Sequence, residues 1–439
     1  MPFKRPKKEE TLAKKAVKRN YRLFFNNRLM TILPRWWVGT AEILGLTLLF
    51  LLNFLLLLPF FGQEDKSNIF SAPLIPVLSK LFFLMSFPVA IRFWLLFFIL
   101  FLPVTFYFFV REISGRRITA FLASLIISLP LGIFLPLRLK LALFTEDGNH
   151  IASLTLGILA CLFLLRFLRS GNFKMGVSSS LLISLVALTS PLGLFILGCF
   201  SLAISFSEML LSQGRLKFFR FLTVFMLAAG LVSFWYNPGF VFLIVASPQG
   251  ELIKGTLASL FPLSFFLVPL LGAFGFLLFE NRPRLQPLFL AVFLSIGFGL
   301  LSLGAGMQLS SPYRFLPSLG MALAFLGSIV LARIFDFLKR RRSFRQFSGI
   351  SRYRKQILFF SITLFFTIIT SIIMASAKNF GQLEQEEVLG LVDSKTTGIW
   401  EARNAIGWFH HIIGGSISFS TAGLLIFIRK QLAKQKNEE

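Results

Sequence analysis

Long, uninterrupted apolar runs of membrane-spanning length dominate the chain, and the polar gaps between them alternate between basic and acidic. A bilayer crossing needs about 20 apolar residues, and stretches such as Trp37 to Phe61 and Ile91 to Val110 supply them. Runs this continuous exclude a transmembrane β-barrel, whose strands are short and alternating. Only 15% of the 439 residues are charged and 55% are hydrophobic, whereas a soluble domain carries about 25% charged residues. The expected fold is an all-α polytopic membrane protein.

Charge in the gaps sets the orientation. The arm at residues 1–35 carries Lys4, Arg5, Lys7, Lys8, Lys14, Lys15, Lys18, Arg19, Arg22, Arg28 and Arg35 against Glu9 and Glu10, so the positive-inside rule places it in the cytoplasm. Tyr21, Phe24 and Phe25 interleave with these cations and suit an amphipathic surface helix. The arm precedes the first apolar run and no small-residue cleavage site follows it, so the first span is expected to stay as an anchor.

After that span, an outer loop at 62–90 holds GQEDKSN and a proline-broken stretch from Ser71 to Pro88, expected as a surface or re-entrant helix. Spans two, three and four cover about Ile91 to Val110, Ile118 to Pro136 and Ile151 to Phe167. The run from Met175 to Leu211 is broken at Thr189, Ser190 and Pro191 and reads as an out-and-back hairpin. Span seven covers about Phe218 to Tyr236, span eight Leu257 to Phe279, span nine Pro287 to Leu303, span ten Phe315 to Leu338 and span eleven Ile357 to Ala377.

A basic block from Lys339 to Lys355 follows span ten and agrees independently with the parity set by the arm. About twelve crossings with both termini cytoplasmic satisfies every basic cluster. The expected organisation is a basic arm at 1–35, a transmembrane core at 36–377, an outer loop at 378–411, a last span at 412–428 and a basic tail at 429–439, in the plasma membrane.

The outer gaps hold the candidate chemistry. Glu64 and Asp65 are adjacent carboxylates beyond the first span, able to hold a divalent metal ion or to supply a general base. Glu146, Asp147 and His150 gather before span four, where a turn and a helix start are the plainer reading. Arg314, in SPYRFLP, has a planar fork that matches phosphate oxygens. Glu112, Glu208 and Asp336 lie at inner ends beside Arg and Lys and are expected as interfacial charges, as are His410 and His411 before the last span. Cys161 and Cys199 fall inside apolar runs and are expected as packing residues. The net charge of +26 fits topology and attraction to anionic lipid at the cytoplasmic face, with no nucleic-acid partner expected.

With the order of a basic arm, one span, an acidic outer loop, GRRITAFLASLIISLP, GNHIASLTLGILACLFLLRFLR, the LTSP break and SPYRFLP, the chain resembles the GT-C superfamily of polytopic glycosyltransferases. Within it the likeness is to bacterial membrane proteins of the 6-pyruvoyl-tetrahydropterin-synthase-related membrane domain type. The resemblance implies a GT-C-like core, a polyprenyl-phosphate-linked sugar as donor, Asp65 or Glu64 as catalytic acid of the first outer loop, and Arg314 as a contact to the lipid phosphate. Departures are visible: the acids are adjacent, Ser190 stands in LTSP where related proteins have His, and a large soluble C-terminal domain is replaced by the gap from Lys378 to Phe409.

Twelve spans with both ends inside also describe a secondary transporter or flippase, and FVREISGRR resembles half of the major facilitator signature loop through Gly115, Arg116 and Arg117. Transporters bury ionisable residues near mid-membrane, and the span centres here hold almost none. A non-catalytic membrane scaffold would leave Glu64, Asp65 and Arg314 facing unrelated directions.

Overall fold

The computed structural model describes residues 35–61, 72–82, 84–129, 133–143, 148–211, 214–246, 285–308, 312–340 and 406–438. Their regular structure is helical throughout. In chain order the helices are α1 (Arg35–Leu57), α2 (Leu74–Leu81), α3 (Phe87–Ser114), α4 (Arg117–Ser128), α5 (Leu135–Leu143), α6 (Gly148–Ser170) and α7 (Phe173–Ala187). There follow α8 (Pro191–Leu211), α9 (Gly214–Val232), α10 (Pro238–Ala246), α11 (Gln286–Gln308), α12 (Leu316–Arg340) and α13 (Trp408–Glu438). Spans eight and eleven, the arm, and the gap from Lys378 to Ala405 lie outside the described residues.

Six of these helices contain segments long and apolar enough to cross a membrane: Glu42–Phe60, Phe87–Ser114, Gly148–Ser170, Pro191–Leu211, Leu316–Ile334 and Trp408–Gln431. The segments Arg117–Ser128, Phe173–Ala187 and Gln286–Ser302 are apolar but shorter. The described residues are therefore helical with six candidate membrane spans, as suits a membrane-embedded protein. In α6, 78% of the span is buried inside the protein, against 11% in α13. Helix α6 is the axis, packed by α3, α5, α7, α8 and α9, while α13 lies at the periphery against α9 and α10.

Helix boundaries follow local chemistry. Helix α3 ends at Gly115, whose φ of 65° is the left-handed conformation that glycine adopts without cost. Gly171 repeats this between α6 and α7 at φ 68°, and a side chain there would run into the Arg220 guanidinium. The LTSP break is where α7 hands over to α8. Pro191 opens α8, and Ser190 Oγ accepts the Gly193 N–H at 3.2 Å, an N-cap bond. Of the proline-broken stretch expected as a surface or re-entrant helix, Leu74–Leu81 forms the short α2, tied to this turn by the Leu74 N–H donating to the Leu188 carbonyl at 2.9 Å.

One boundary departs from the sequence expectation. The third run was expected to continue to Pro136, but α4 stops at Ser128, because Leu129 precedes Pro130 and takes extended backbone (φ −66°, ψ 139°). The next described helix begins at Leu135, giving α5.

Helix contacts inside the bundle are made by small hydroxyl residues bonding to carbonyls of neighbouring helices. Ser180 and Ser184 of α7 donate to the Val224 and Ala228 carbonyls of α9 at 3.1 and 3.2 Å. Thr155 of α6 donates to the Phe98 carbonyl of α3 at 2.7 Å, and Ser124 of α4 to the Pro103 carbonyl at 2.8 Å. Such bonds hold apolar helices together where lipid supplies no hydrophobic drive between them.

Candidate functional site

The two ends of the bundle differ in their charges. At one end, where α3, α6 and α8 finish and α4, α7, α9 and α11 begin, stand all three carboxylates whose side chains lie among the described residues: Glu42, Glu112 and Glu208. Each is paired. Glu42 accepts from Tyr107 Oη at 2.6 Å, from Arg111, and from Arg117 Nε at 3.2 Å. Glu112 accepts from Arg166 Nε at 3.0 Å. Glu208 is fully buried and accepts from Arg169 Nε, Lys217 Nζ and Gln286 Nε2 at 2.9, 2.9 and 2.7 Å.

Arg169 also donates to the Glu112 carbonyl at 2.9 Å and to Gln286 Oε1 at 3.3 Å. One network therefore joins α3, α6, α8, α9 and α11. Sequence reading expected Glu112 and Glu208 as ordinary interfacial charges; they are the centre of this clasp. Buried charges are tolerated only when paired and hydrogen-bonded, and here both conditions are met.

The opposite end is where the sequence placed the candidate site. Glu64, Asp65, Glu146 and Asp147 lie outside the described residues. The two remaining candidates are brought together: His150 Nε2 stands 2.9 Å from the Arg314 carbonyl oxygen across 164 positions of chain. A carbonyl can only accept, so Nε2 carries the proton in this contact. His150 is fully buried in the first turn of α6, while the Arg314 side chain is exposed on the helical turn Pro312–Phe315 that leads into α12. The histidine thus anchors the backbone that presents the arginine. Among the described residues, no group of three His, Cys, Asp or Glu side chains could hold a metal ion.

Sequence reasoning missed a second arginine at this end. Arg138, in LPLRLKLAL just past the expected end of span three, has a side chain only 1% exposed. It caps the end of α4: Nη2 donates to the Ile127 carbonyl and Nε donates to the Phe134 carbonyl at 3.3 Å. Its Nη1 is buried with no hydrogen-bond partner among the described residues. Burial alone pushes the guanidinium down, to about 9, which leaves it cationic at neutral pH. The only available signal was a basic residue flanked on both sides by leucine.

Lys80 on α2, Arg92 near the start of α3 and Lys140 on α5 belong to the same end of the bundle, where no carboxylate side chain is described. A small cavity of about 10 Å³ separates Ser153 and Gly157 of α6 from Gly193 and Leu197 of α8, at the lower limit for a single water. No protein-family profile matches the chain, and no characterised protein matches it either.

Proposed function

We propose that this protein is a GT-C-like membrane glycosyltransferase of about twelve spans, with both termini in the cytoplasm, that moves a sugar from a polyprenyl-phosphate donor to an acceptor hydroxyl at the outer leaflet of the plasma membrane. The observation that carries the reading is the segregation of charge. Each carboxylate whose side chain is described is paired with cations at one end, while His150, Arg138 and Arg314 stand at the other. The described span centres bury Ser and Thr bonded to carbonyls. An alternating-access transporter places ionisable groups at mid-depth, so this distribution favours an enzyme working at a membrane surface.

In the proposed reaction the acceptor hydroxyl oxygen attacks the anomeric carbon of the donor. A new glycosidic C–O bond forms, the bond from that carbon to the phosphate oxygen breaks, and the lipid phosphate leaves with the bonding pair. Asp65 takes the hydroxyl proton with Glu64 as its partner, Glu146 and Asp147 contact the acceptor, and Arg314 faces the phosphate charge that grows as the bond breaks. His150 fixes the turn that carries Arg314.

Incubating purified full-length protein with a panel of polyprenyl-phosphate sugars tests this, with Asp65→Asn as comparison. Transfer by the wild type that falls at least about a hundredfold in Asp65→Asn is expected. Equal transfer by both proteins, or none by either across the panel, rejects the assignment.

A further inference from the structure

Helix α13 closes on the junction of α9 and α10 at three successive turns. Ser418 Oγ donates to the Gly230 carbonyl at 3.0 Å and accepts the Phe234 N–H at 2.9 Å, which bridges the last turn of α9 and the chain that leaves it. One turn earlier, any side chain at Gly414 would collide with the Ser233 carbonyl, so the two backbones meet directly. One turn earlier again, His411 Nδ1 stands 3.1 Å from Asn237 Nδ2.

Geometry fixes which of these two nitrogens donates. Asn237 caps α10, its Oδ1 accepting the Phe240 N–H at 2.8 Å. A flipped amide would set two donors against each other at the cap, so Nδ2 faces His411 and donates. His411 Nδ1 is therefore the acceptor, and the ring is neutral with its proton on Nε2. A second proton on the ring can go only to Nδ1, where it meets the Asn237 N–H. Asn237 is fully buried and cannot turn to water, and rotating its amide would give up the cap. Either way a buried donor loses its partner. His411 itself lies in the first turn of α13 and is only half-buried, so protons reach it.

Among the described residues, the packed elements bring no charge that would compensate. Helix α10 has no ionisable side chain, and the cations of α9, Arg215, Lys217 and Arg220, lie at its opposite end. The titratable neighbours at this end are His410, whose Nδ1 is buried without a hydrogen-bond partner, and Tyr236, whose Oη donates to the Ala187 carbonyl at 2.7 Å. The next residue, Leu188, accepts the Leu74 N–H of α2. The junction is thus bonded onward to the turn between α7 and α8 and to α2.

We infer that His411 and Asn237 form a pH-operated latch: neutral His411 holds α13 on the junction, and its protonation releases that end of α13 and loosens the start of α10. The released state carries one proton more than the latched state. Release therefore grows as pH falls through the range in which imidazoles charge, about pH 8 to 5. The latch depends neither on the transfer reaction nor on which side of the membrane this end faces.

Amide hydrogen exchange of the full-length protein in detergent micelles tests it, compared at about pH 8 and about pH 5.5 after correction for the intrinsic pH dependence of exchange. Protection of the Phe234, Phe240 and Val241 amides is expected to fall about threefold to tenfold at the lower pH, the range set by one net hydrogen bond. His411→Gln, which keeps an acceptor toward Asn237 and cannot charge, should show equal protection at both values, and His410→Gln should keep the wild-type response. Asn237→Asp should invert the response: the carboxylate still caps α10, and its second oxygen accepts from protonated His411, so protection rises toward the lower pH.

Equal protection at both values in the unaltered protein overturns the inference. So does a response that survives in His411→Gln, or one that disappears in His410→Gln. The wild-type comparison needs no substitution and decides the matter even if a variant fails to fold.

Discussion

Glu208 and Arg138 are both buried at the ends of the bundle, and they pose opposite electrostatic problems. Glu208 satisfies two cations at once, so removing it leaves Lys217 without a carboxylate and Arg169 with Glu112 and Gln286 alone. Breaking a buried pair costs about 3–5 kcal/mol, and Glu208→Ala should lose about that much, read as a drop in the unfolding temperature of the purified protein. A loss under about 1 kcal/mol would mean that the clasp is not what holds α8 to α6 and α9. Arg138 has no such partner, and burial lowers its proton affinity to about 9. Below pH 9 the group is charged in folded and unfolded chains alike, so it adds no slope between pH 6 and 8. Above pH 9 the folded protein releases the proton before the unfolded chain does, so stability on its account rises with pH. The unfolding temperature of wild type relative to Arg138→Met should therefore be flat from pH 6 to 8 and climb toward pH 10; a relative fall over that upper range would contradict the assignment of the charge.

Helix boundaries show where the sequence spoke plainly and where it did not. The LTSP break was legible because proline favours the first helical position and serine the cap before it, and Ser190 does cap α8. Replacing it by alanine should cost about 0.5–2 kcal/mol, measurable as faster hydrogen exchange of the Gly193 amide; unchanged exchange would deny the cap. The end of α4 was harder to read. Hydropathy runs on past Pro130 to Pro136, and only the backbone restriction on the residue before a proline marks the stop at Ser128. The His150 to Arg314 contact spans 164 positions and no local pattern encodes it. Likewise, the clasp acids were visible at inner ends, but their partners Lys217 and Gln286 come from helices whose packing a single sequence does not specify. The small-residue turn at Gly171 is a further element-level test. Gly171→Ala meets both a left-handed φ and the Arg220 guanidinium, and should destabilise the protein by at least about 1 kcal/mol.

For the whole molecule, charge distribution links the proposed topology to the proposed function, because the rule used to orient the chain decides which end would face the outer leaflet. The clasp end also carries Arg116, Lys174 and Arg215 at or beside its helix starts, and the proposed orientation, by the positive-inside rule, puts it in the cytoplasm. That orientation leaves Arg138, His150 and Arg314 at the outer face, as an outer-leaflet transferase requires, whereas the reverse orientation would present them to the cytoplasm. Thiol labelling can separate the two arrangements. Cys161 is buried and Cys199 partly so, so both are first replaced by alanine, and single cysteines are then placed at the exposed positions Lys174 and Lys80. In intact cells a membrane-impermeant maleimide should label Lys80→Cys and leave Lys174→Cys untouched until the membrane is opened. The reversed pattern would move the cationic end to the cytoplasm, and with it any reaction that depends on Arg314, so the outer-leaflet glycosyltransferase could not stand even if the fold were unchanged.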